Sequence, residues 1–132
     1  MAEHASLPLC FDFLPDGTPL VVSAATRSLL ALSPDGTLTP YADLRALSEL
    51  GANDVGVDGR GNAWVNGPNA PFGTTAPEGG PASGRIAVVT GPGEVRVVAD
   101  DLDFPHERAI SPDNRTLIVA ESYRQRLTAF TI

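Results

Sequence analysis

The chain has little basic charge: nine lysines and arginines face 16 aspartates and glutamates in 132 residues, a net charge of −7. No basic stripe is available to neutralise phosphates, so a nucleic-acid partner is not expected. Cys10 is the single cysteine, which excludes an internal disulfide. Its setting in Leu9-Cys10-Phe11 reads as a buried, unreactive thiol. No apolar run approaches the ~20 residues that a membrane-spanning helix needs, so no membrane partner is expected. The start, Met1-Ala2-Glu3-His4, lacks the basic and apolar regions of a secretory signal, and the cytoplasm is the expected compartment. Asn114-Arg115-Thr116 fits a glycosylation pattern but reads as a turn. Gly-x-Ser-x-Gly, the P-loop, Cys-x-x-Cys and His-Glu-x-x-His are all missing.

Turn formers are what the chain has in quantity, with 13 glycines and 12 prolines. They punctuate short apolar runs, a pattern that favours many strands over long helices. Cys10–Leu14, Leu20–Ser23, Leu29–Leu32 and Leu38–Ala42 are four strand candidates in succession. Turns at Pro15-Asp16-Gly17, Ala25-Thr26-Arg27 and Ser33-Pro34-Asp35-Gly36 separate them. Pro40 cannot donate to a ladder, which places the fourth strand at a sheet edge. Leu44–Leu50 reads equally as one or two helical turns or as a connecting loop. Asp100-Asp101-Leu102-Asp103 reads as a solvated turn.

The same unit recurs. Phe13-Leu14-Pro15-Asp16-Gly17 matches Val57-Asp58-Gly59-Arg60-Gly61 and Ile110-Ser111-Pro112-Asp113-Asn114. Leu20-Val21-Val22 matches Ala63-Trp64-Val65 and Leu117-Ile118-Val119. Ser28–Leu32 matches Arg85–Val89 and Arg126–Phe130. Gly17 to Gly61 spans 44 residues and Gly61 to Asn114 spans 53, the longer interval holding a turn-rich insertion at 67–84. Four short strands repeating every 40–50 residues indicate β-propeller blades, and a β-sandwich would not explain the register. The expected fold is all-β: about three four-stranded antiparallel blades, half of a six-bladed propeller. The blades are 9–43, 53–99 with the insertion 67–84, and an incomplete 105–132. Open edges and an uncovered apolar blade face at each end make the chain either a fragment or part of an assembly. Two such halves, a homodimer, supply six blades.

In a propeller the innermost strand of each blade lines a central channel. The loops entering that strand and the loops at 24–27, 67–84 and 121–125 share one face. Asn53-Asp54 and His106-Glu107 hold equivalent positions, each opening an inner strand. Read functionally, they form a metal or substrate site at the channel mouth, and their oxygens suit calcium. Read structurally, Asn53 is a turn residue and His106 an exposed loop histidine. Trp64 reads as core between blades or as a pocket wall.

These segments resemble the SMP-30/gluconolactonase/LRE family of six-bladed propellers. Phe104-Pro105-His106-Glu107 with Ile110-Ser111-Pro112-Asp113 and Thr116–Tyr123 resembles the family's Phe-Pro-Asn-Gly segment. Asn53-Asp54-Val55-Gly56-Val57-Asp58 with Gly61–Val65 resembles its Asn-Asp strand, and Leu14–Ser23 fits the preceding blade. The resemblance implies divalent-metal-dependent hydrolysis of sugar lactones, with calcium or another divalent ion such as zinc polarising the lactone carbonyl and a carboxylate acting as base. It implies that Asn53 contacts water or substrate. It places His106 where the family carries a metal-binding asparagine, and Glu107 where it carries glycine. The first-blade glutamate ligand has no counterpart, because Glu3 lacks the surrounding pattern, and the late aspartate expected as base falls beyond Ile132. Two readings stand beside each other: a lactone hydrolase, and a catalytically silent binding module or remnant. In a homodimer, two Asn53 and two His106 would surround one channel, where imidazole favours zinc, nickel or copper.

Overall fold

A computed structural model describes residues 9–68, 70 and 84–132. Most of the 67–84 loop lies outside these described residues, as do Glu3 and His4. The described residues form eleven strands and no helix. The first sheet runs β1 (Phe11–Phe13), β2 (Pro19–Ser23), β3 (Ser28–Leu32) and β4 (Leu38–Asp43). The second runs β5 (Asp54–Val57), β6 (Ala63–Gly67), β7 (Gly84–Gly91) and β8 (Glu94–Leu102). The third has β9 (Pro105–Ile110), β10 (Thr116–Glu121) and β11 (Arg126–Thr131). Every pairing is antiparallel, and strands adjacent in sequence are adjacent in each sheet. These are propeller blades, called blades 1, 2 and 3 below.

The turn chemistry explains the hairpins. Asp16 and Asp35 each accept a hydrogen bond from the backbone amide two residues on, at Thr18 and Thr37, both 2.9 Å. Gly17 and Gly36 follow at φ of 88° and 86°, a region that side chains disfavour. In blade 3 the hairpin is one residue longer. Ser111 bonds Thr116, where Asp58 bonds Asn62. Pro40 sits on β4, at the edge of its sheet, and the register skips Tyr41 between Ala42 and Pro40.

Two expectations need correction. The register proposed for blade 1 is one residue off. Phe13 pairs with Pro19, as Val57 pairs with Ala63 and Ile110 with Leu117. Pro19, Ala63 and Leu117 are therefore equivalent, and Leu20 matches Trp64 rather than Ala63. The acidic stretch 100–103 is solvated at Asp100 and Asp101 but is strand rather than turn through Leu102. β8 continues through Leu102, which is buried, and Arg124 lies 3.9 Å from Asp101 and 3.4 Å from Asp103. The 44–50 segment resolves as hydrogen-bonded turns that bury Leu44 and Leu47 and leave Leu50 exposed.

Strand alternation gives each blade two apolar faces. Leu20, Val22 and Leu29 of blade 1 pack with Val55, Ala63, Val65, Ala87 and Val89 of blade 2. The other face of blade 2, with Trp64, Ile86 and Val88, packs on Leu117 and Val119 of blade 3. Trp64 is thus core between blades, and its indole N–H donates to Asp58 at 3.2 Å. Leu29 is fully buried. Leu29→Ala should cost about 2–5 kcal/mol in urea unfolding. Leu50→Ala, at an exposed turn, should stay within about 0.5 kcal/mol.

Candidate functional site at the junction of blades 2 and 3

The inner strands β1, β5 and β9 lie side by side. Asn53, just before β5, is buried and tied on three sides. Its amide donates to the Asn66 carbonyl at 3.1 Å, and its carbonyl accepts from the Cys10 thiol at 3.1 Å. Its side-chain Nδ2 donates to the Pro105 carbonyl at 3.0 Å, across to blade 3. That bond brings Asn53 beside the residue preceding His106. Asn53 Oδ1 is buried and has no hydrogen-bond partner.

His106 lies within β9 and is half-buried, not an exposed loop residue. Its ring stacks on Phe104 at 5.9 Å and 18°, and Phe104 stacks on Tyr123 at 4.6 Å and 26°. Phe104 takes a φ of 54°, an uncommon left-handed conformation for a bulky residue. The pairing also separates His106 from Asn53 in register. β9 advances three residues from Pro105 to Arg108 while β10 advances two, from Glu121 to Val119. This bulge inserts an extra residue at the level of His106 and Glu107, so their equivalence to Asn53-Asp54 is broken by one position.

Arg108 was not singled out by its sequence context, yet it dominates this junction. It pairs with Val119, as Phe11 pairs with Val21 and Val55 with Val65, and so stands in an otherwise apolar position. Its side chain is 2% exposed. It lies over Gly56, where an added Cβ would meet its Cδ at 3.1 Å and Nη1 at 3.2 Å. Arg108 Nη2 sits 3.1 Å from Asp54 Oδ2, an ion pair without hydrogen-bond alignment, since both Nη atoms remain unpartnered. Nε donates to Asn66 Oδ1 at 3.4 Å, and Asn66 Nδ2 is a further buried donor without a partner.

Burial pulls the Arg108 pKa down to about 10, against the pull of Asp54, Cys10 and Asp12, so the guanidinium stays charged at neutral pH. Burial raises the Asp54 carboxyl, with Arg108 opposing. Burial also raises the Cys10 thiol, and Asp54 adds to the rise; the thiol is half-buried rather than fully buried. Glu121, fully buried at the end of β10, was missed as well. Burial pushes its carboxyl up, but bonds from Arg126, Thr128 and the Asp103 amide outweigh it and leave it below its ordinary value.

The junction therefore holds the Arg108–Asp54 ion pair, with three buried donor atoms and one buried acceptor atom that have no hydrogen-bond partner. Such atoms cost about 1–3 kcal/mol each unless water or a ligand meets them. A divalent ion fits less well. Among the described residues no group of three or more His, Cys, Asp or Glu is placed to hold a metal. Asn53 Oδ1 and His106 are fewer donors than zinc or calcium takes from protein.

The family model described as SMP-30/gluconolactonase/LRE-like region matches residues 5–132. A gluconolactonase from Xanthomonas campestris shares the fold with a TM-score of 0.68 at 21% identity, over 92% of this chain and 43% of that one. A calcium-binding regucalcin from Agrobacterium tumefaciens gives 0.68 at 24% identity, over 98% of this chain and 42% of that one. The chain thus spans less than half the length of these structures. No curated protein matches it.

Arg108→Ala leaves Asp54 without its buried partner and should cost about 3–5 kcal/mol in urea unfolding. Gly56→Ala should cost about 1–3 kcal/mol by crowding the guanidinium. In the double variant the costs should fall well short of additivity, because Arg108→Ala removes the atoms that Gly56→Ala strikes. Glu121 has a depressed folded-state pKa, so its contribution is present above its unfolded value near 4.5 and is lost as pH falls through the folded value. Thermal unfolding scans from pH 7 down to 3 should show stability falling below about 4.5, and Glu121→Gln should flatten that fall.

Proposed function

Because this chain belongs to the SMP-30/gluconolactonase/LRE-like family, we propose that it supplies part of a site for small sugar lactones at the junction of blades 2 and 3. One observation carries the reading. The bond from Asn53 Nδ2 to the Pro105 carbonyl sets Asn53 next to the His106 segment while its Oδ1 stays unpartnered. An amide oxygen held in this way suits a substrate hydroxyl or the water around it. Arg108 adds positive charge of the sign that stabilises a developing oxyanion. His106, held in the aromatic stack, stands at the same strand start.

No step is assigned to a metal, since the described residues do not by themselves fit one. Calcium, as in the regucalcin neighbour, or zinc enters only as an added variable in the test. No carboxylate base is assigned within the chain. A module that binds without turnover is the second reading.

The test is titration of the chain with D-glucono-1,5-lactone, with and without added calcium or zinc, followed by NMR of the His106 imidazole. A saturable shift is expected, with affinity weakened at least fivefold in Asn53→Ala. Absence of a saturable His106 shift under every condition would overturn the site. A lactone hydrolysis assay on the same samples separates the two readings: turnover supports the hydrolase, and binding without turnover supports the module.

A further inference from the structure

The loop after β10 is fixed by three ties to the stretch that leads into β9. Glu121 Oε2 accepts from the Asp103 amide at 2.8 Å, and the Ser122 amide donates to the Phe104 carbonyl at 3.1 Å. Arg124 Nε stands 3.4 Å from Asp103 Oδ2. Tyr123 lies between Ser122 and Arg124, so the backbone that carries it is held on both sides. Phe104, which stacks with both Tyr123 and His106, is buried and keeps a φ of 54°. A bulky residue takes that backbone only where its surroundings outweigh the cost. The two stacks and the Ser122 bond are such surroundings. Pro105 is confined as well: a Cβ on Gly84 would meet its Cδ at 2.4 Å, and its carbonyl accepts from Asn53. His106 follows at the point where β9 leaves regular pairing with β10. A bulge re-aims the side chain it carries, and the Phe104 ring is what lies alongside the re-aimed imidazole.

We propose that Tyr123 is a positioning residue for His106, acting through the Phe104 ring. The route runs from the anchored 121–124 loop to Tyr123, from Tyr123 to Phe104, and from Phe104 to the imidazole. Both stacks are near-parallel, at 26° and 18°, and near-parallel stacking favours one ring plane over others. The imidazole nitrogens lie in that plane, so fixing it fixes the directions along which the ring gives or takes a hydrogen bond. A side chain ordered in advance loses less entropy when a ligand arrives, which raises affinity. The inference rests on the lactone-site reading only for what His106 meets; the hold of Tyr123 on the ring stands apart from it. The stack uses the ring of Tyr123 and not its hydroxyl. Tyr123→Phe therefore retains the hold, and a non-aromatic side chain does not.

The test is NMR of the chain with isotope-labelled histidine, in a His4→Gln background that leaves His106 as the one imidazole. Without ligand, ring relaxation should report an ordered His106 imidazole in the parent chain and in Tyr123→Phe. In Tyr123→Leu and Tyr123→Gln the ring order parameter should fall below about 0.6, and the ring-proton shifts should move toward those of free histidine. Circular dichroism checks that each variant stays folded. Leu29→Ala, which loosens the core between blades 1 and 2 instead, should leave the His106 ring signals in place. Titration with D-glucono-1,5-lactone follows. Affinity should weaken by about threefold or more in the two non-aromatic variants and hold in Tyr123→Phe. An imidazole as ordered in both non-aromatic variants as in the parent overturns the proposal, and so does full lactone affinity with a disordered ring. Equal loss of order in Tyr123→Phe, which would mark a hydroxyl bond, or in Leu29→Ala, which would mark general loosening, overturns it too. A parent chain that never shifts with lactone overturns the lactone reading instead, and the ligand-free comparison still decides the role of Tyr123.

Discussion

The structure depends on one constraint: every blade is apolar on both faces, so every blade needs a neighbour on each side. A sheet of a sandwich alternates apolar and polar residues because one face meets water. Here β6 is buried at all five positions, Ala63 through Gly67, and β7 buries Ile86 through Val89 without a break. Burial of two faces removes the need for alternation and allows the continuous runs seen in the sequence. It also sets the rank of stability along the chain. Blade 2 is covered twice, and blades 1 and 3 once each.

Arg108 is the exception that makes the junction of blades 2 and 3 unlike the junction of blades 1 and 2. It occupies a slot filled by Phe11 and Val55 in the other blades, and Gly56 across from it gives up a side chain to make room. The ion pair with Asp54 is not a general source of stability, since desolvation offsets most of its Coulomb energy. Its consequence is electrostatic and local. The Arg108–Asp54 pair adjoins Asn66 at a junction where Asn53 Oδ1 and Asn66 Nδ2 are left without hydrogen-bond partners, and a polar ligand or bound water gains most at such a point. The bulge at His106 and the left-handed backbone of Phe104 lie at the same strand start, where departures from ideal geometry re-aim side chains.

Much of the fold was legible because its signals are local. Pro-Asp-Gly turns and short β-branched runs specify hairpins within a few residues, and the recurring unit identified the blades. The register of blade 1 was harder. Leu20-Val21-Val22 is apolar throughout, so a slip of one residue costs nothing in the pattern, and Pro19 does not look like the equivalent of Ala63. Asn53 was legible from its motif, and its tie to Pro105 was not, because that bond crosses 52 residues. Arg108 was in principle readable: the repeat register puts a charge in an apolar column, opposite a glycine. Glu121 and the pairing of Asp101 and Asp103 with Arg124 depend on which loops meet in space, and local patterning carries no record of that.

Amide hydrogen exchange by NMR, at the lowest workable concentration, tests the two-face constraint most directly. The account predicts that β6 and β7 of blade 2 exchange slowest, through global unfolding alone, and that the central strands of blades 1 and 3 exchange faster through local opening. Equal protection of all three blades would contradict it, because coverage on both faces would then not be what holds a blade together.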